Sequence, residues 1–185
     1  MYTLDELNNI CSKCKRCRLS QTRTNVVFGE GNENADIMFV GEGPGYNEDI
    51  QARPFVGKAG KLFDEMIHAI NLSREDIYIA NIVKCRPPEN RNPLEDESAA
   101  CIEYLRWQVK LINPKIIVCL GAVASKNLIN SSLSISRQRG KFVKKGNLYF
   151  MPTFHPSYLL RNEEAKKYAW EDLKSIVAKL AEIKS

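Results

Sequence analysis

Two hydrophobic rhythms alternate along the chain. Leu4, Leu7, Ile10 and Cys11 fall on one helical face and predict a helix from Thr3 to about Cys11. Short apolar runs then recur: Ile37-Met38-Phe39-Val40, Ile77-Tyr78-Ile79-Ala80, Ile116-Ile117-Val118-Cys119-Leu120 and Leu148-Tyr149-Phe150-Met151. Each reads as a strand. The run at Ile116 is apolar throughout, rich in β-branched residues and closed by Gly121, as in a strand buried on both faces. Between the runs the helical spacing returns. Leu62, Phe63, Met66, Ile67 and Ile70 share one face; Cys101, Leu105, Gln108 and Ile112 share another, in a helix starting near Pro93, since proline suits a first turn. A shorter helix covers Gly121 to Ile129, and a last one runs from about Glu164 to Ile183 with Leu173, Ile176, Val177 and Leu180 inward. Lys141-Phe142-Val143, before Gly146-Asn147, predicts a hairpin arm into the last strand. Strands alternating with helices predict an α/β fold: a single domain over residues 1–185, with a central four-stranded parallel sheet flanked by helices on both faces.

Such a sheet gathers chemistry at one edge, because its strands all end on the same side and ligands bind there. Three distinctive stretches directly follow predicted strands: Gly41-Glu42-Gly43-Pro44-Gly45, Asn81 and His155-Pro156-Ser157. A fourth, Pro54-Phe55-Val56-Gly57, lies in the loop after the first strand. A turn, an aromatic ring, an amide and a histidine would therefore meet. The glycine loop could cradle a phosphate, but the third glycine of a dinucleotide fingerprint would fall at Tyr46. Taken alone, Phe55 reads equally well as a core residue, whereas Asn81 reads more readily as a polar residue closing a strand and a lone histidine such as His155 as structural.

Length and charge narrow the classes. At 185 residues the chain can build one real core. A net charge of +5, from 27 basic and 22 acidic side chains, allows a polyanionic partner without requiring one. No apolar run approaches the ~20 residues of a membrane span, and Met1 to Glu6 lacks the pattern of a secretory signal. The expected compartment is the cytoplasm, where thiols stay reduced.

Six cysteines stand at 11, 14, 17, 85, 101 and 119. Thiolates three residues apart, as in Cys11-x2-Cys14-x2-Cys17, can face one metal centre. The fourth cysteine and proline of a ferredoxin-type run are missing, so a centre needs distant ligands. Several sets of four satisfy the spacing, and spacing does not separate an iron–sulfur cluster from tetrahedral zinc.

The four loop stretches together resemble the uracil-DNA glycosylase superfamily. With Cys14-x2-Cys17-Arg18-Leu19 and Cys85-Arg86-Pro87-Pro88, the chain looks most like the iron–sulfur family 4 branch. The resemblance covers nearly the whole chain and implies a DNA repair hydrolase that flips uracil out of DNA, cleaves its N-glycosidic bond and leaves an abasic site. It selects Cys14, Cys17, Cys85 and Cys101 as ligands of a [4Fe-4S] cluster with a structural role, leaving Cys11 and Cys119 as buried thiols. It implies that Gly41, Glu42 and Gly43 contact the uracil and place the attacking water, that Phe55 stacks on the ring, that Asn81 reads its edge, and that His155 donates to uracil O2 as charge builds there. Glu42 and His155 are then the catalytic pair. Ser157, Leu159 and Arg161 would hold DNA, with the leucine as an apolar wedge beside a basic residue. Arg137, Arg139, Lys141, Lys144 and Lys145 could hold phosphates.

Three departures stand out. The best-known branch carries an aspartate where Gly43 stands and a tyrosine near Gly45 that excludes thymine; here Glu48 or Asp49 would crowd the 5-methyl position. A glycine is usual at Ala52. The implied partner is uracil-containing DNA, single- or double-stranded, bound by a monomer with no membrane, and replication or repair proteins are candidate partners. Two other readings compete: a non-catalytic nucleic-acid-binding module of the same fold, and a nucleotide-phosphate enzyme using the glycine loop. The intact Glu42, Asn81 and His155 argue against the first, and the lack of a Walker lysine against the second.

Overall fold

The structure, a computed structural model, describes residues 2–185. Helix α1 (Leu4–Ser12) opens on a capping box. The Thr3 hydroxyl accepts from the Glu6 N–H at 3.1 Å, and the Glu6 carboxylate accepts from the Thr3 N–H at 2.8 Å. The strands are β1 (Glu30–Gly31), β2 (Ile37–Gly41), β3 (Tyr78–Asn81), β4 (Ile116–Leu120), β5 (Val143–Lys145) and β6 (Leu148–Thr153). They form one six-stranded sheet in the order β1-β3-β2-β4-β6-β5. The inner four, β3-β2-β4-β6, are parallel, as the sequence predicts. Two short antiparallel strands extend the edges. β5 is the expected hairpin arm, whereas β1 is two residues long and includes a glycine, too little for any periodic signal.

Alternation along β2 sends its side chains to opposite faces. Met38 and Val40 join a core with α1 and α4 (Glu95–Ile112), while Ile37 and Phe39 join one with α3 (Lys58–Ala69) and α8 (Lys166–Lys184). Both faces are covered, which is why the inner strands read as apolar runs. In α8, Leu173 and Ile176 are buried as expected, but Val177 is exposed. The buried stripe of α8 runs instead through Ala169, Asp172, Leu173 and Ile176, which turns Val177 toward solvent.

Short helices α2 (Tyr46–Gln51), α5 (Gly121–Leu128), α6 (Ile135–Gln138) and α7 (Pro156–Arg161) line the carboxyl edge of the sheet. Helix α2 ends on Ala52 at φ 56, a left-handed cap. That conformation favours glycine, so the departure at 52 carries a backbone cost. At the far end of the edge, the Thr153 hydroxyl donates to the buried Asp172 carboxylate at 2.7 Å, and Arg139 closes the same carboxylate from the 134–141 loop.

Candidate active site

The parallel register sets the site. Gly41, the last residue of β2, lies opposite Asn81, the last of β3, and the Leu120–Thr153 pairing brings the ends of β4 and β6 alongside. The strands run the same way, but the order in which they are added along the sheet reverses between β2 and β4, so the loops after them splay apart there and leave a crevice. The cleft is about 740 Å³. One wall is the loops after β2 and β3, including Glu42, Gly43, Pro87 and Asn90; the other is the loops after β4 and β6, including Gly121, His155 and Arg161.

Asn81 is 2 % exposed, and its side-chain Oδ1 is a buried polar atom without a hydrogen-bond partner among the described residues. Burying an amide oxygen unpaired costs about 1–3 kcal/mol, so it marks a place prepared for a donor. The space beside it is kept by Gly41. A Cβ there would lie 2.5 Å from Asn81 Oδ1 and 2.6 Å from the Phe55 ring. A Cβ on Gly43 would lie 2.6 Å from Val83 Cγ2, so the aspartate of the best-known branch does not fit this backbone unless Val83 moves.

Phe55 sits at φ 52, a left-handed conformation that is an outlier for a bulky residue. Its neighbours hold it there. Arg74 donates to the Phe55 carbonyl and, at 2.8 Å, to the Pro54 carbonyl, and is itself anchored on Glu30 and Asp64. Gly60 in α3 is bare where a side chain would strike the Phe55 carbonyl. The Phe55 ring faces the His155 ring at 5.6 Å between centroids and 29°. Neither Arg74 nor Gly60 stands out in the sequence, since each acts on a backbone atom reached only through the fold.

His155 Nδ1 accepts from the Ser157 N–H at 3.0 Å and lies 2.7 Å from the Ser157 hydroxyl. A backbone N–H can only donate, so Nδ1 is the acceptor and the neutral ring carries its proton on Nε2. Burial, aided by the Arg161 charge, pushes the imidazole down to about 4. At neutral pH it is an uncharged donor. Glu42 is shifted the other way, its carboxyl held above the usual glutamate value by burial. Glu48 braces the site, accepting from the Gly45 N–H at 3.3 Å and the Gly57 N–H at 3.1 Å. One carboxylate thus ties the glycine loop to the Phe55 loop.

A second hollow lies behind β3. Cys11, Cys14, Cys17, Cys85 and Cys101 all line it. Cys119 does not; it is core in β4. Among the described residues no group of three or more His, Cys, Asp or Glu is placed to hold a single metal ion. Donors point at the sulfurs: Arg23 reaches Cys85 Sγ and the Lys84 N–H reaches Cys101 Sγ, both at 3.3 Å. With no metal charge present, burial pushes the Cys85 thiol up to about 11 and Cys11 up to about 12. Lys84 joins the two sites. Its fully buried Nζ donates to the Asn81 carbonyl at 3.0 Å and to Gln108 at 2.6 Å.

A family model described as the uracil DNA glycosylase superfamily matches residues 28–174. The chain belongs to that superfamily. It is 49 % identical over 181 residues to a type-4 uracil-DNA glycosylase of Thermotoga maritima, covering 94 % of each chain. It is 46 % identical to type-4 uracil-DNA glycosylases of Sulfurisphaera tokodaii and Saccharolobus solfataricus, covering 95 % of this chain and 84 % and 86 % of theirs. Among the described residues no helix is long and apolar enough to cross a membrane.

Within this family frame, the cleft brings Glu42, Gly43, His155, Ser157 and Arg161 together. Gly41, Phe55 and Asn81 are buried against one another outside its lining, with the Phe55 ring reaching His155. Three expectations are corrected. Leu159 is 1 % exposed and packs with Phe154, Ala165 and Ala169, so it cannot be a wedge; its neighbour Leu160 is 43 % exposed. The helical turn of α7 turns one of two adjacent leucines inward. Asp49 is buried and turned away from the site, accepting from the Thr24 and Asn25 N–H groups, so of this pair only Glu48 lines the cleft. In the basic run, Arg139 is taken up by Asp172, and Lys145 donates to the Leu128 and Ile129 carbonyls. Asn90 and Arg91 also line the cleft and had no signal in the sequence, because they enter through the loop after β3.

Proposed function

We propose that this protein removes uracil from DNA, flipping the nucleotide into the cleft and hydrolysing the bond between sugar and base. The observation that carries the reading is the unpartnered Asn81 Oδ1, buried beside Gly41 and Phe55, with the Phe55 ring in turn facing the neutral His155. Uracil N3–H is the donor that this oxygen lacks, and the amide nitrogen suits uracil O4. Phe55 supplies a stacking face. Bond cleavage loads negative charge onto the departing base. A pre-oriented His155 Nε2–H aimed at O2 would stabilise it, worth about 10²–10³ in rate. An imidazolium is not required, which agrees with the depressed basicity of His155. Glu42, its carboxyl held above the usual glutamate value by burial, orients water toward the sugar carbon. Leu160 beside Arg161 takes the wedge role in the emptied stack.

The thiols fit a [4Fe-4S] cluster. Cys14, Cys17, Cys85 and Cys101 surround one hollow, two of them with N–H donors on their sulfurs, and a cubane sets its thiolates further apart than the ligands of a lone ion. When bound, the cluster would clamp the N-terminal segment to β3 and α4. Arg23 and Lys84 would hold Cys85 and Cys101 in place.

The test is an oligonucleotide with one uracil, incubated with purified protein and then treated with alkali. Strand breakage at the uracil position, with free uracil released, is expected. An intact strand that is nonetheless bound would favour the non-catalytic module.

A further inference from the structure

Two exposed tyrosines stand by the cleft: Tyr158 lines it, and Tyr46 lies next to the wall that holds Asn90, linked to it through Arg86. Tyr46 is 57 % exposed and begins α2 directly after the glycine loop. The Arg86 guanidinium lies over its ring, 5.2 Å from the centroid, and donates through Nε to Asn90 Oδ1 at 2.7 Å. Asn90 and Pro87 line the same wall. On the opposite wall Tyr158 is 39 % exposed and stacked on buried Phe154, with ring centroids 4.8 Å apart at 25°. Arg161 stands one helical turn further on.

The two rings share an arrangement. Each has a partner at one face, a cation for Tyr46 and an aromatic ring for Tyr158, so each is oriented in advance. Each leaves surface open to solvent. A soluble protein has little reason to fix and expose two flat aromatic faces at the rims of one cleft unless a flat ligand meets them. Nucleobases are such ligands, and they stack on aromatic side chains without regard to sequence. The positive charge of Arg86 and Arg161 suits the adjoining phosphates.

We propose that Tyr46 and Tyr158 are stacking platforms for the bases on either side of the flipped nucleotide, forming a binding surface for single-stranded DNA. The proposal rests on the uracil-excision reading, which places a nucleotide in the cleft between them. Its consequence is a grip on unpaired strands. In a duplex the neighbouring bases are already stacked and paired, so the platforms add little. In a single strand they are free to leave the helix and cover the tyrosines.

The experiment measures equilibrium binding by fluorescence anisotropy. The probe is a short single-stranded oligonucleotide with one central 2′-fluoro-deoxyuridine, whose electron-poor sugar resists cleavage; a matched duplex and a strand with both neighbouring bases removed complete the set. Tyr46→Ala and Tyr158→Ala are each expected to weaken single-strand binding about tenfold and duplex binding much less. Tyr46→Phe and Tyr158→Phe should bind like the parent, because stacking needs the ring and not the hydroxyl. On the strand lacking neighbouring bases the alanine penalties should vanish. The unaltered protein should itself bind that strand at least tenfold more weakly, an arm that needs no variant to fold. Equal binding of the two strands by the unaltered protein, or alanine penalties that persist without the neighbours, would overturn the proposal. Uracil release from an ordinary uracil strand, followed in parallel, keeps the readings apart: release without any tyrosine effect removes the platforms alone, and no release removes the excision reading.

Discussion

Gly41 and Asn81 end adjacent parallel strands so closely that one methyl group on the glycine would touch the unpartnered oxygen of the amide at 2.5 Å. A Cβ contact that short forces a shift, and the groups it would displace are the two that should face the base. Gly41→Ala is expected to keep the fold, since the residue has ordinary backbone angles, and to lower single-turnover uracil excision by about 10² or more, as small misplacements of reacting groups do. Rapid-quench rates with a thermal melt as control check this. Full activity would mean that the base does not approach Asn81.

Opposite shifts at His155 and Glu42 predict the pH profile. Glu42 is raised by burial, so its carboxylate is lost as pH falls through a value above that of an ordinary glutamate. His155 is lowered to about 4, so it stays neutral throughout the range from 5 to 8. The acid limb of the single-turnover rate therefore belongs to Glu42. Glu42→Gln should lower the plateau and flatten the limb. His155→Ala should cut the rate by about 10²–10³ and leave the limb where it was. A limb near 6.5 that disappears in His155→Ala would reverse the assignment.

Arg74 holds Phe55 in a conformation the residue would not choose, at a typical cost of about 1–3 kcal/mol. Arg74→Met keeps much of the side-chain bulk and removes the donors. The loop should relax, raising KM and lowering kcat together, although Arg74 lies behind the site rather than in the cleft. Steady-state kinetics on a uracil oligonucleotide check this. Arg74→Lys should recover only part of the loss, because one ammonium cannot serve Pro54, Phe55, Glu30 and Asp64 at once.

The five thiols around one hollow give a sorting experiment. Cys85→Ser and Cys101→Ser should each lose iron and solubility, because a ligated cluster stabilises the fold it ties. Cys119→Ser, in the core of β4, should keep the iron. Cys11 is the discriminating case. It lines the hollow but lies outside the family's ligand set, so Cys11→Ser should also retain a full complement of about four irons. Iron analysis and visible absorbance after anaerobic purification check all four variants. Stoichiometric zinc without iron would replace the cluster assignment.

The sequence by itself determined the four inner strands, the main helices and the loops that meet at the sheet edge. These follow from local patterns: an apolar run can only be a buried strand when both faces are covered, and side chains at helical spacing must share a face. It also placed Glu42, Asn81 and His155 at or just beyond strand ends, a fixed place in a parallel sheet, while the roles proposed for them come from the family resemblance. Only the tertiary structure decided the rest, because those features depend on contacts between residues far apart. The two-residue strand β1 exists through its pairing with β3. Whether Leu159 or Leu160 is exposed depends on how α7 turns against Phe154 and Ala169. Arg74 matters to Phe55 through a carbonyl 19 residues away, and Lys84 joins the thiols to Asn81 through a hydrogen bond inside a core. A periodic pattern records which way a side chain points, but not which distant atom it meets.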